Sequence, residues 1–167
     1  MKFQASLDAF AKIITITISF VFTWTVIFTY KRGQSEMALL FLLMFSLTYL
    51  VCYLFSVKSY ELKDTGLIIH RPLAKIIFAK EEIESIRQVE KDEMKWTFRT
   101  FGNGGLFGYT GKFANTHLGS MTYYATQRRN YVLLQTRGGK KIILTPDQPG
   151  DLVAATNAQL SLTGATS

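Results

Sequence analysis

The stretch Phe101 to Phe113, FGNGGLFGYTGKF, puts five glycines and four aromatics into thirteen residues. That composition suits a phosphate cradle, a ligand lid or a tight structural turn. A nucleotide P-loop needs G-x-x-x-x-G-K-[ST], where the lysine reaches phosphate and the hydroxyl reaches magnesium. Here Gly111-Lys112 is followed by Phe113, and the position five before Gly111 is Leu106. A dinucleotide fingerprint needs G-x-G-x-x-G between a strand and a helix. Gly102-Asn103-Gly104 is followed by Gly108, one residue too late, and no helical pattern comes next. The spacing argues against a nucleotide. It fits an ordered loop whose glycines allow positive φ and close backbone approach, held by Phe101, Phe107, Tyr109 and Phe113 as anchors. Two uses stay open: anchoring against the domain body, or contact with a partner or with the headgroup region, which favours aromatics.

The rest of the chemical inventory is sparse. The two histidines, His70 and His117, have no ligand at metal-site spacing, and the single cysteine is Cys52. No zinc pattern and no Ser-His-Asp signature is present. The acids cluster at Glu81, Glu82, Glu84 and at Glu90, Asp92, Glu93, with lysine or arginine among them, which reads as a solvated charged face. These observations predict no metal, no cofactor and no catalytic residues, so the chain reads as non-enzymatic.

Charge carries the sharpest polar signal. From Met94 to Pro146 there is no Asp or Glu, yet eight basic residues occur: Lys95, Arg99, Lys112, Arg128, Arg129, Arg137, Lys140 and Lys141. Residues 58–93 instead hold seven basic and eight acidic residues. Much of the net charge of +7 therefore comes from one segment. Such a segment suits an anionic lipid surface, where each Lys or Arg is worth about 1 kcal/mol. Nucleic acid also binds basic patches, but the elements below argue against it. Ordinary solubilising charge is the plain alternative.

Those elements begin with two apolar runs. Ile13–Tyr30 is 18 residues without a charge and Met37–Val57 is 21 more. As helices they would be about 27 and about 31 Å long, matching a hydrocarbon core of about 30 Å. A signal peptide would end at a small-residue cleavage site, which Tyr30-Lys31-Arg32 is not. A soluble core hairpin would show a polar face, and neither run has one. Residues 1–57 are thus expected to form a two-helix transmembrane hairpin with spans at about 13–30 and 37–57. The six-residue connector, KRGQSE, puts both chain ends on one side. Lys2, Lys12, Lys58, Lys63 and Arg71 favour the cytoplasm for that side.

Residues 58–162 read mostly as strands. SYELKDTGLIIH is a hairpin turning at Asp64-Thr65-Gly66. KIIFAKEEIESIRQV is strand, turn at Lys80–Glu82, strand, and YVLLQTRGGKKIILT is a hairpin about Arg137-Gly138-Gly139. A C-terminal helix opens in TPDQPGDLVAATNAQL, with Thr145 as N-cap and Pro146 as first helical residue. Residues 163–167 are expected to fray. Strands closed by one helix predict a small barrel or sandwich, capped by that helix.

GLIIHRPLAKIIFAKEEIESI, GNGGLFGYTGKF, YYAT and ILTPDQPGDLV resemble the bacterial pleckstrin-homology-like (PH-like) membrane proteins. The last three, in that order, resemble the subgroup with a glycine-rich central insertion. The resemblance implies two spans followed by an all-β PH-like domain with a terminal helix. It does not imply one function, since such folds host lipid binding, peptide binding and scaffolding alike.

Two function classes follow. One is a bacterial inner-membrane protein whose cytoplasmic PH-like domain binds anionic lipid headgroups or a protein at the membrane surface. The other is an assembly subunit, whose hairpin packs on another membrane protein or a second copy. The hydroxyls Thr15, Thr17, Ser19, Thr23, Thr25 and Thr29 fit the second, because small hydroxylated residues favour helix contact.

Overall fold

The computed structural model describes the backbone of residues 1–164 and the side chains through Ser161. Two helices come early: α1, Ala9–Lys31, and α2, Ser35–Phe55. Both are long and apolar enough to cross a membrane. Nearly all their side chains are exposed or half-buried. Each helix extends into the expected connector, which shrinks to Arg32-Gly33-Gln34. Asp8 caps α1, accepting from the Ala11 N–H at 2.7 Å.

Among the described residues, ten strands form a sandwich of two sheets; it is not a closed barrel. The first sheet has the order β1 (Lys2–Gln4), β2 (Ser59–Lys63), β3 (Gly66–His70), β4 (Ile76–Ala79), all antiparallel. The second contains β5 (Ile83–Gln88), β6 (Phe98–Gly105), β7 (Gly108–Asn115), β8 (Gly119–Ala125), β9 (Val132–Thr136) and β10 (Lys141–Leu144). Its order is β5-β9-β10-β8-β7-β6, and only β8 and β10 run parallel. The three sequence-predicted hairpin or strand–turn–strand units all form, with a single 3₁₀ turn at Lys80–Glu82.

Strand β1 has no counterpart in the sequence reading. It pairs Phe3 with Tyr60, and the N-terminal amine donates to the Leu62 carbonyl at 2.6 Å. The chain therefore starts inside the sheet, leaves it through α1 and α2, and returns to pair with its own beginning. Three residues give too short a pattern to read.

The space between the sheets is filled by Tyr60, Leu67 and Ile69 from one side and Val132, Leu134 and Leu144 from the other. Tyr60 also links the sheets: its hydroxyl donates to the Tyr124 carbonyl at 2.6 Å and accepts from the Thr145 N–H at 3.0 Å. A second core lies on the other face of the larger sheet. There the β5–β6 connection lays Val89 and Met94 over Tyr123, Leu133 and Ile143. Alternation along β8 to β10 feeds both cores, since successive side chains leave opposite faces.

Helix α3, Pro149–Gly164, packs Leu152 into the first core. Edge strand β5 takes a hydrogen bond from Asn157 at its Ile86 carbonyl, at 3.4 Å. The start of α3 differs from the sequence expectation. Pro149, not Pro146, is the first helical residue, and Thr145 is buried, its hydroxyl accepting from the Thr126 N–H at 2.9 Å. Two prolines three residues apart both suit a first turn, and the tertiary bond decides between them. The helix includes residues 163 and 164, while the rest of the expected frayed tail, 165–167, lies outside the described residues.

Candidate functional site

The glycine-rich stretch is a β-hairpin rather than a loop. Strands β6 and β7 pair from Phe98–Ala114 to Gly105–Gly108, leaving Leu106-Phe107 as the turn. Asn103 clasps that turn, accepting from the Leu106 N–H at 3.1 Å and donating to the Leu106 carbonyl. Gly102 and Gly111 face each other across the pair, with φ of 115° and 128°. A Cβ on Gly102 would fall 2.3 Å from the Thr110 carbonyl oxygen, and one on Gly111 would fall 2.2 Å from that of Phe101. These glycines let two strands touch, which the sequence could not separate from loop flexibility.

The four aromatics part ways. Tyr109 and Phe113 are buried, and Phe113 stacks on Tyr123 at 4.1 Å between ring centroids. Phe107 is half-buried at the tip, edge-on to Tyr49 and Tyr53 of α2. Phe101 is 76 % exposed and shares that openness with Trp96 and Phe98. The hairpin thus has one face on the domain, its tip on the two helices and an aromatic face left open.

Around the foot of α1 the structure forms a basin of about 760 Å³. Five cations line it: Lys12, Lys91, Lys95, Arg128 and Arg129. The one carboxylate in its wall, Asp8, is already engaged. Besides capping α1, it accepts from the Arg128 backbone N–H at 2.9 Å and from the Tyr109 hydroxyl at 3.3 Å. Arg128 lies over the Phe10 ring, 3.6 Å from its centroid, in a cation–π contact. Arg129 donates to the Gln127 side-chain oxygen at 2.8 Å. Lys95 forms an exposed ion pair with Asp92 at 2.9 Å. Burial pushes the Tyr131 hydroxyl up to about 12, and burial likewise raises Tyr109, with the Asp8 charge adding to it. Both phenols are neutral near pH 7; Tyr109 spends its one donor on Asp8, while Tyr131 lines the basin with a neutral O–H.

Only three of the eight sequence-predicted cations, Lys95, Arg128 and Arg129, meet in this basin. Lys12 and Lys91 complete it. Lys12 read as a span-edge residue and Lys91 as part of an acidic run; their convergence comes from the β5–β6 connection, which no local signal encodes. Arg99 and Lys112 lie on the glycine-rich hairpin. Arg137 and Lys140 turn at the far end of the larger sheet, about 16 Å along β9 from Val132 at 3.3 Å per residue. Lys141 is used internally, donating to the Leu118 carbonyl at 2.8 Å.

The remaining titratable clusters are local. His70 Nε2 lies 2.7 Å from Glu61 Oε2, holding that carboxyl below its ordinary range. His117 is exposed, in the turn between β7 and β8, with its backbone N–H on Asn115. In α1 the hydroxyls of Thr15, Ser19, Thr23, Thr25 and Thr29 donate to the carbonyl four residues back. Ser19 also meets the Tyr49 hydroxyl of α2. These five hydroxyls are satisfied within their own helix, while that of the exposed Thr17 makes no such bond among the described residues.

Compared with known proteins, residues 58–160 match a family model described as "Bacterial PH domain". No curated protein and no solved structure matches the chain.

Proposed function

The chain belongs to the bacterial PH domain family, and we propose that it is a non-enzymatic protein of the bacterial inner membrane whose PH-like domain binds anionic lipid headgroups beside its own anchor. In this reading α1 and α2 span the bilayer and both termini are cytoplasmic. Domains of this family are generally binding modules.

The observation that supports the reading is the basic basin at the foot of α1. Five cations surround one carboxylate that is fully occupied by internal hydrogen bonds. The basin begins within a turn of the N-cap of a helix long enough to cross a bilayer, so it meets the depth at which headgroups lie. Cationic side chains there gain from the negative inner-leaflet potential.

The test uses the full chain in nanodiscs of anionic or zwitterionic lipid. Backbone amide exchange over residues 127–131 and 91–95 should slow in the anionic discs, and salt should erase the difference, since exposed charges are screened beyond about 8 Å. Arg128→Glu with Arg129→Glu should remove the effect. Equal exchange in both discs at low salt would overturn the reading, and a protein that co-purifies in fixed ratio would favour the assembly subunit instead. Reporter fusions at Ser35 and after Ser167 check topology: an externally active reporter after Ser167 sinks it.

A further inference from the structure

We propose that a second cleft, between the helical hairpin and the sheet, holds a single anionic phospholipid, with an acyl chain along the helices and its phosphate on Arg71. The proposal rests on α1 and α2 being membrane spans, and it adds a discrete lipid site to the charged surface at the foot of α1.

The cleft is about 680 Å³, within the range of about 300–1,000 Å³ usual for small-molecule sites. One wall is helical, with Ile18, Phe22 and Val51; the other is the hairpin and β8, with Phe101, Leu106 and Tyr124. Both walls are mostly apolar. Because one wall is membrane-crossing helix, the cleft opens toward hydrocarbon rather than toward water. A soluble metabolite would have to enter through lipid, whereas an acyl chain is already there.

Arg99 reaches the rim, but its guanidinium lies over Gly104 on the opposite face of the hairpin, beside Tyr109 and Phe113, so Arg71 is the one charged head lining the cleft. No carboxylate shares it. Arg71 donates through Nε to the Ala74 carbonyl at 3.2 Å, and its guanidinium lies 5.5 Å from the Phe55 ring centroid and 5.7 Å from that of Tyr124. Its two terminal nitrogens have no hydrogen-bond partner among the described residues. A guanidinium fork offers paired donors matched to phosphate oxygens. An apolar slot with one arginine whose terminal nitrogens are unpaired among the described residues, and no acid to answer it, is complementary to an anionic diacyl lipid.

The full chain is purified in mild detergent and titrated with phosphatidylglycerol or phosphatidylcholine of identical acyl chains, and bound lipid is read by native mass spectrometry. One phosphatidylglycerol per chain should be retained, with preference over phosphatidylcholine. Arg71→Gln should weaken retention at least about tenfold, the worth of one charged hydrogen bond, whereas Arg99→Gln should leave it in place. Cys52→Phe fills the cleft without altering a charge and should also weaken it. In the unmodified protein, bound phosphatidylglycerol should slow alkylation of Cys52, which lines the cleft, so the proposal does not depend on how the variants fold. Arg128→Glu with Arg129→Glu should leave the retained lipid in place while abolishing the exchange effect at the basin. Equal retention of the two lipids, or unchanged Cys52 alkylation, overturns the cleft site. So does retention that is lost with the Arg128 and Arg129 changes but kept with the change at Arg71.

Discussion

The backbone N–H of Phe107 donates to the hydroxyl of Thr15 at 3.2 Å, joining residues 92 positions apart. The same hydroxyl donates to the Ala11 carbonyl one turn back, so it serves both elements. Phe107 holds φ at 59°, unusual for a residue with a Cβ, and its ring stands 5.4 Å from Tyr49 and 5.8 Å from Tyr53. A strained turn is thus held by contacts with two helices. This is where the PH-like domain grips its anchor.

Phe107→Ala should loosen that grip. Two edge-on ring pairs are each worth about 0.5–1.5 kcal/mol, so the hairpin tip should open more often by that combined amount. Amide exchange over residues 104–109 should accelerate at least about fivefold, as a loss of about 1 kcal/mol requires. Exchange in β9 and β10 should stay as it is. Unchanged exchange at the tip would mean that the rings contribute nothing to docking.

Gly111→Ala should cost well over the roughly 1 kcal/mol of an ordinary glycine effect, because its Cβ would strike backbone that cannot rotate away. Gly139→Ala supplies the comparison. It also has positive φ, 76°, but nothing lies within 4 Å of the added carbon. Thermal melts of both variants should show the larger loss at Gly111; equal losses would leave backbone strain alone as the explanation.

Asp8→Ala removes the α1 cap and the acceptor for Arg128 and Tyr109 together. Caps are worth about 1 kcal/mol and hydrogen bonds to charge about 1.5–3, so a loss of roughly 2–4 kcal/mol is expected. Asp8→Asn keeps one acceptor oxygen and should lose less. Melting temperatures of the two variants give the order, and an alanine variant as stable as wild type would contradict the hub role.

Glu93 predicts a pH dependence. Arg87 grips it with two hydrogen bonds, at 2.9 and 2.7 Å, and these chiefly hold its carboxyl down at about 2. A carboxyl whose pKa falls on folding stabilises the fold above its ordinary value of 4.5, and that contribution fades as pH drops toward about 2. The pair is partly exposed, so its worth is at most about 1 kcal/mol. Glu93→Gln should melt lower than wild type near neutral pH, with the gap narrowing as pH falls from 4.5 toward about 2. A gap that persists undiminished in acid would locate the effect elsewhere.

Much of the architecture is local and therefore legible in the sequence. Uncharged runs of helix length define α1 and α2, and turn residues such as Asp64-Thr65-Gly66 fix hairpins whose partners are neighbours in the chain. The motif YVLLQTRGGKKIILT needs no distant information to pair. Glycine spacing alone argued against a phosphate loop. What the tertiary structure decided is every contact between segments far apart. Strand β1 finds β2 across the whole helical hairpin. Thr145 gives up its cap role because the segment just after β8 claims its hydroxyl. Lys12 and Lys91 join Arg128 only because the β5–β6 connection crosses the outer face of the sheet, while Arg137 and Lys140 are carried to the opposite end. Pattern and propensity report which face of an element is apolar, but not which distant element covers it, because that choice is made by packing among parts that share no local signal.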